Sequence, residues 1–156
     1  MARHTRGFDC AAATRALLRA DPALKPWLKR TGPIDLAAQW RRPFDVGDAL
    51  ARAIMYQQLS GKAAATIVGR VEKAIASRRI HHRALSKVDD TGLRACGVSG
   101  NKVLALRDLA RREAAGEIPS ARQLQYMADQ DIIDALVPTR GIGRWTVEMM
   151  LMFRLR

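Results

Sequence analysis

The sequence predicts an all-α domain of eight to ten short helices, and three observations carry that prediction. Apolar residues recur three and four positions apart along most of the chain, as they do on helices that turn one stripe toward a core. No stretch sustains the period-two alternation of β-branched residues that a half-buried strand requires. Asp, Ser, Gly and Pro punctuate the chain at short intervals, where helices start and stop. With 156 residues, 48% of them hydrophobic, the chain is long enough to bury a core as one domain. Packing helices are expected over about 1–40 and the core over 45–156.

Each element has its own signals. Phe8 to Arg19 is rich in Ala and Leu, good helix formers. Asp21 and Pro22 offer a cap and a first-turn proline for a short helix through Leu28, which Gly32 and Pro33 break. Ile34 to Trp40 is expected to add one turn before Pro43. Asp45 caps the next helix, with Val46, Leu50, Ala53, Ile54 and Gln57 inward and an end near Leu59. Ser60 caps another, with Ala63, Ala64, Ile67, Val68, Val71 and Ile75 inward and Lys62, Arg70, Lys73 and Arg78 outward. Gln57 and Gln58 sit at the corner between these two helices. Their amides serve either ordinary helix-end hydrogen bonding or a cleft.

Arg78, Arg79, His81, His82 and Arg83 read as a solvated basic connector. Asp89 or Asp90 starts a short helix ending at Gly97. Ser99 caps a longer one, with Val103, Leu106, Leu109 and Ala110 inward, Lys102, Arg107, Arg111 and Arg112 outward, and Gly116 at its end. Pro119 and Ser120 open a helix through Met127, and Asp129 caps one that carries Ile132, Ile133, Leu136 and Val137.

The rest of the chain is organised around the stretch Pro138, Thr139, Arg140, Gly141, Ile142, Gly143, Arg144, Trp145 and Thr146. Two glycines one residue apart, between an apolar helix tail and a new helix carrying Val147, Met150, Leu151 and Phe153, describe a helix–hairpin–helix over 138–146. Glycine at both ends lets the turn take positive φ and lets a phosphate approach backbone amides at a helix N-terminus. Such a turn holds a phosphate without reading sequence, with Arg140 and Arg144 flanking it. The alternative is a glycine pair that merely joins two core helices.

Charge favours the first reading. The chain carries 27 Lys+Arg against 15 Asp+Glu, a net +12, which suits a polyanionic partner. No apolar run approaches the roughly 18 residues of a spanning helix and Met1 to Asp9 lacks a secretory core, so a soluble, cytoplasmic protein with no membrane association is expected. Cys10 and Cys96 lack CxxC spacing, and His4, His81 and His82 are scattered, so no metal site is expected.

Gly141 to Thr146 resembles the signature of the helix–hairpin–helix DNA glycosylase superfamily, in its 3-methyladenine (alkyladenine) branch. Tyr56, Gln57, Gln58, Leu59 and Ser60, followed by Lys62, Ala63 and Ala64, resemble that branch's second landmark. Asp21 to Leu24 and Gly97 to Ala110 match in order and distance, so the resemblance runs from about Asp21 nearly to the end. It implies a base-excision repair protein that docks double-stranded DNA on the hairpin (Arg140, Gly141, Ile142, Gly143, Arg144, Thr146). The protein flips an alkylated purine into a pocket and hydrolyses its N-glycosidic bond. Electron-rich faces suit a cationic base, so Trp145 and then Tyr56, with Gln57 and Gln58, are the pocket candidates, core packing being the alternative for each aromatic.

Relatives that form a Schiff base carry Lys where this chain has Trp145, and many hold an iron–sulfur cluster on four Cys. The resemblance therefore implies a monofunctional, water-using monomer with no cofactor beyond a structural monovalent cation at the hairpin, nucleoid-associated if bacterial. Two departures stand out. The family's catalytic Asp would fall beyond Arg156, so no catalytic residue is assigned and little excision by these 156 residues is expected; Glu148 does not match that position. The family's wedge turn corresponds to Val98, Ser99, Gly100 and Asn101, of which Val98 alone is apolar. The competing readings are a non-catalytic lesion- or structure-binding protein and an α-helical interaction module.

Overall fold

The computed structural model describes residues 9–32 and 44–155. Among them are ten α-helices, one 3₁₀ turn and no strand. The helices are α1 (Cys10–Ala20), α2 (Lys25–Thr31), α3 (Val46–Tyr56), α4 (Gly61–Ala74), α5 (His82–Leu85), α6 (Asp90–Ala95), α7 (Gly100–Ala114), α8 (Ala121–Leu124), α9 (Asp129–Leu136) and α10 (Arg144–Arg154). The expected turn at Ile34 to Trp40 lies outside the described residues. None of these helices is long and apolar enough to cross a membrane.

Capping side chains fix five of the ten described α-helix starts; Ser99 holds the N-cap position of α7, but its side chain makes no capping bond. Asp9 accepts from the amides of Ala11 and Ala12, Asp45 from Asp48, Ser60 from Ala63 and Asp89 from Gly92. Ser120 and Gln123 form a reciprocal capping box. Each such cap is worth about 1 kcal/mol. Asp129 is not a cap: Ala128 holds that position and Asp129 opens the first turn of α9. The helix beginning at Ser120 ends at Leu124 rather than Met127, and Ala63 is exposed rather than inward.

The core is a single cluster in which α7 is the central element. It packs against α3, α5 and α6, placing Val103, Leu106 and Leu109 beside Leu50, Ile54, Leu85 and Leu93. Val68, Val71 and Ile75 of the α4 segment, Ile132 and Leu136 of α9, and Val147 of α10 complete it. Segment 10–31, with the 3₁₀ turn Pro22–Leu24 capped by Asp21, contributes no buried side chain.

The outward cations of α7 and the basic connector behave differently from the sequence expectation. Arg107 turns toward the protein, donating to the carbonyls of Leu85 (2.7 Å) and Val88 and to Asp90 (2.8 Å). It thereby closes the turn between α5 and α6. In the connector, Arg79 pairs with Asp45, and Arg52 bridges Asp48, Glu72 and the Arg78 carbonyl. The His82 amide donates to Glu113 at 2.6 Å. The segment is thus tied down on both sides because its free backbone groups need partners where α5 packs on α7.

Arg107→Ala should strand the Val88 carbonyl, leave the Leu85 carbonyl only a long bond from the Val88 amide (3.4 Å), and cost about 2 kcal/mol in urea unfolding. Arg107→Lys should recover only part of this, because an ammonium cannot reproduce the guanidinium fork.

Candidate functional site

The hairpin is built from a few backbone hydrogen bonds. The Thr139 amide donates to Leu136 O and the Ile142 amide to Thr139 O, each at 3.0 Å, which closes the turn after α9. Gly141 has φ +79°, and a Cβ there would stand 3.2 Å from the Ala105 Cβ, so glycine is required both for conformation and for approach to α7. Ile142 is buried and anchors the turn in the core. Gly143 departs from expectation. It lies at φ −97°, ψ 167°, extended backbone that any residue adopts, with open space around it. Of the two glycines, only the first is dictated by the turn.

Gly143 is the N-cap of α10, and its carbonyl accepts from the amides of Thr146 (2.9 Å) and Val147 (3.3 Å). The amides of Arg144 and Trp145 come earlier in the first turn, where a helix provides no acceptor, and a glycine cap has no side chain to offer. They form an open donor pair at the positive end of an 11-residue helix. Thr146 is half-buried behind them.

Two side chains from the core helices hold the hairpin in place. Gln57 Nε2 donates to the Gly141 carbonyl at 2.8 Å. Asp108 Oδ2 accepts from the Arg140 amide at 2.9 Å. Both are themselves held. Lys102 Nζ donates to the carbonyls of Met55 (2.9 Å) and Gln57 (2.8 Å) at the end of α3, and burial pushes its pKa below the ordinary lysine value. Asp108 takes Arg112 Nε at 3.0 Å and Arg111 Nη2 at 3.1 Å. Burial alone would raise its pKa, but the Arg140 amide and the two guanidiniums outweigh burial and hold the carboxyl below its usual range.

These ties change the parts expected of several residues. The α3 helix ends at Tyr56 rather than near Leu59: Gln57 is extended and Gln58 takes a left-handed φ of 55°. The amide of Gln57 is thereby released toward the hairpin, while Gln58 stays exposed. Trp145 and Tyr56 are 71% and 43% exposed, which removes the core-packing alternative for both. Arg144 is not free. Its Nε pairs with Glu148 at 2.8 Å, so Glu148 is the partner of a hairpin arginine on an exposed helix face. The Arg140 side chain is exposed and makes no such pair among the described residues. In the expected wedge turn, Val98 is 3% exposed and belongs to the core cluster, so it cannot insert anywhere; Ser99 and Asn101 are exposed.

Lys102 and Asp108 are functional positions that sequence reasoning missed. The spacing of Asp108 with Arg111 and Arg112 marks a helix-face ion pair, but nothing in the sequence couples either residue to a turn more than 30 positions away.

No family model matches the chain. The DNA-3-methyladenine glycosylase 1 of Schizosaccharomyces pombe is 34% identical over 109 residues, 69% of this chain and 48% of that protein. The structure of the DNA-3-methyladenine glycosidase of Bacillus halodurans superposes with a TM-score of 0.74 at 29% identity, over 91% of this chain and 63% of that one. The S. pombe 3-methyladenine DNA glycosylase in complex with abasic DNA gives 0.71 at 30%, over 85% and 64%. The chain belongs to the DNA glycosylase superfamily. It spans about half the length of curated relatives it matches, and its all-helical architecture is that of the glycosylase fold. In this glycosylase-family chain, the Gln57–Gly141 bond joins the two stretches of sequence that carry the resemblance.

Gly141→Ala should cost about 1–2 kcal/mol in chemical denaturation from the left-handed backbone alone, whereas Gly143→Ala should stay within roughly 0.5 kcal/mol. For Asp108, whose folded pKa is lowered, the charge contributes stability above the unfolded value of about 4, and this is lost as pH falls through the folded value. Asp108→Asn should therefore be less stable than the parent at pH 7. The gap should close at low pH once the parent's carboxyl is protonated, as thermal melts across pH would show.

Proposed function

We propose that this chain is a base-excision repair domain that docks a phosphate of duplex DNA on the hairpin and receives an alkylated, extrahelical purine against Trp145. The observation that carries this reading is the open amide pair of Arg144 and Trp145, beside the exposed Arg140, on a turn fixed to α3 and α7. Backbone donors at a helix N-terminus suit a phosphate and are indifferent to sequence. Within the phosphate set of Arg140, Gly141, Ile142, Gly143, Arg144 and Thr146, the roles differ. Ile142 anchors, Gly141 permits the turn, the first-turn amides donate, and Arg140 adds charge.

Trp145 carries one of these donors, so a nucleotide whose phosphate is held there lies near the indole. An alkylated purine is cationic, and an exposed indole face attracts a cation by roughly 0.5–2 kcal/mol. Tyr56 and Gln58 supply further exposed surface on the α3–α4 corner, and Gln57, its donor already spent on Gly141, positions the corner rather than reading the base. The reaction is hydrolysis of the N-glycosidic bond, made easier because the departing base is already charged. Glu148 pairs with Arg144 on the helix surface, and we assign it no part in activating the water; a second reading is that the chain binds lesions without excising them. The carbonyls of Thr139 and Gly141 each accept a single hydrogen bond, and oxygen donors of this kind suit a monovalent cation. We take the protein to act as a monomer.

Fluorescence anisotropy on plain duplex and on duplex carrying a stable 3-methyladenine analogue tests this. Gly143→Asp alone, which leaves the strained Gly141 backbone intact, and Gly141→Asp with Gly143→Asp should each weaken both by more than about tenfold, since carboxylates at the turn repel phosphate, whereas Trp145→Ala should weaken lesion binding more than plain binding. Unchanged affinity in the hairpin variant would return the chain to the class of interaction modules. Lesion preference without an abasic product would select the second reading. If 3-methyladenine is released, Glu148→Gln should leave the rate unchanged.

A further inference from the structure

We propose that Arg70 of α4 and Arg94 of α6 form a second seat for the DNA backbone at the turn Gly97–Asn101, which clamps a strand by charge instead of wedging a side chain between bases. This rests on the DNA-binding reading above. Both guanidiniums lie against glycine backbone at the two ends of the turn. A Cβ on Gly97, which has φ +97°, would stand 3.8 Å from Arg70 Nη1, and a Cβ on Gly100 would stand 2.9 Å from Arg94 Nη1. Val98, the apolar member of the turn, is buried, and the exposed members Ser99 and Asn101 are hydrogen-bonding side chains.

Like Arg78, Arg83, Arg122 and Arg140, these two cations are not among the residues held in ion pairs, and they are the two that lie against this turn. Arg52, Arg79, Arg107, Arg111, Arg112 and Arg144 are all paired with carboxylates. Among the described residues Arg70 and Arg94 have none within 4 Å, although both are exposed beside the same five-residue turn. A shallow depression of about 540 Å³ opens there, lined by Arg94, Ser99, Gly100, Asn101, Leu104 and Asp90. Asp90 is already bonded to Arg107, so it does not neutralise Arg94. Two unpaired guanidiniums flanking hydrogen-bonding side chains suit phosphate oxygens, which the planar fork matches in geometry as well as charge.

The seat is distinct from the hairpin. Gly141 packs on Ala105, five residues along α7 from Gly100, or roughly 7.5 Å at 1.5 Å per residue. The two places thus sit along the same helix, within the span of a single duplex.

The test is the salt dependence of duplex binding by the whole chain, comparing wild type, Arg70→Gln with Arg94→Gln, Arg70→Lys with Arg94→Lys, and the hairpin aspartate pair. Each phosphate contact contributes about 0.9 to the slope of log affinity against log salt. The glutamine pair should therefore lower that slope by about 2 and weaken binding on the order of tenfold or more at about 0.1 M salt. Its Tm should be unchanged, and the lysine pair should restore most of the slope. Equal slopes for wild type and the glutamine pair, with binding lost in the hairpin variant, would overturn the clamp and leave the glycosylase reading intact. No duplex binding by the wild type would overturn both.

Discussion

The arrangement of the site depends on one half-buried ammonium. Lys102, reaching from α7 to the carbonyls of Met55 and Gln57, satisfies the end of α3 where the helix itself no longer can. A cation at a helix C-terminus is favoured by the helix dipole, and carbonyls left unpaired at such a packed end would cost about 1–3 kcal/mol each. With those carbonyls held, the chain leaves the helix at Tyr56, passes through an extended Gln57 and a left-handed Gln58, and restarts at Ser60. That exit places the Gln57 amide against the hairpin carbonyl of Gly141. The corner carrying Tyr56 and the turn carrying Trp145 are thus fixed relative to each other through a single helix.

The same helix explains why net charge is a poor guide to where the partner lies. A chain of +12 has cations to spare, yet Lys102 and Arg107 are spent on carbonyls, and Arg111, Arg112 and Arg144 on carboxylates. Asp108 does two things at once, neutralising Arg111 and Arg112 and fixing the Arg140 amide. The charge left for a polyanion is smaller than composition suggests, and it includes Arg140 beside the helix amides of the hairpin and the guanidiniums of Arg70 and Arg94 at the turn before α7. Local positive potential that is not internally compensated is what attracts phosphate.

Family resemblance and physical reading converge on the hairpin for different reasons. Membership in the DNA glycosylase superfamily follows from relatives and from superposition, whereas the proposal that the turn accepts a phosphate rests on Gly141, Gly143 and the first turn of α10, which no side chain caps. Exposure of Trp145 belongs to neither. An indole left 71% in solvent at the mouth of a basic turn is a feature of the folded chain, and it turns an ambiguous aromatic into surface available to a ligand.

The sequence by itself determined the helical class, most helix starts and the location of the hairpin, because these depend on local terms: side-chain caps, the 3.6-residue apolar period and the backbone freedom of Gly141. Only the tertiary structure decided that α3 stops at Tyr56, that Gly143 needs no glycine backbone, that Val98 is core, and that Gln57, Lys102 and Asp108 hold the hairpin. The last of these rests on hydrogen bonds between residues 32 to 84 positions apart. Which backbone group a long polar side chain satisfies is settled only when packing brings otherwise unpaired donors and acceptors together, and no local periodicity records that choice.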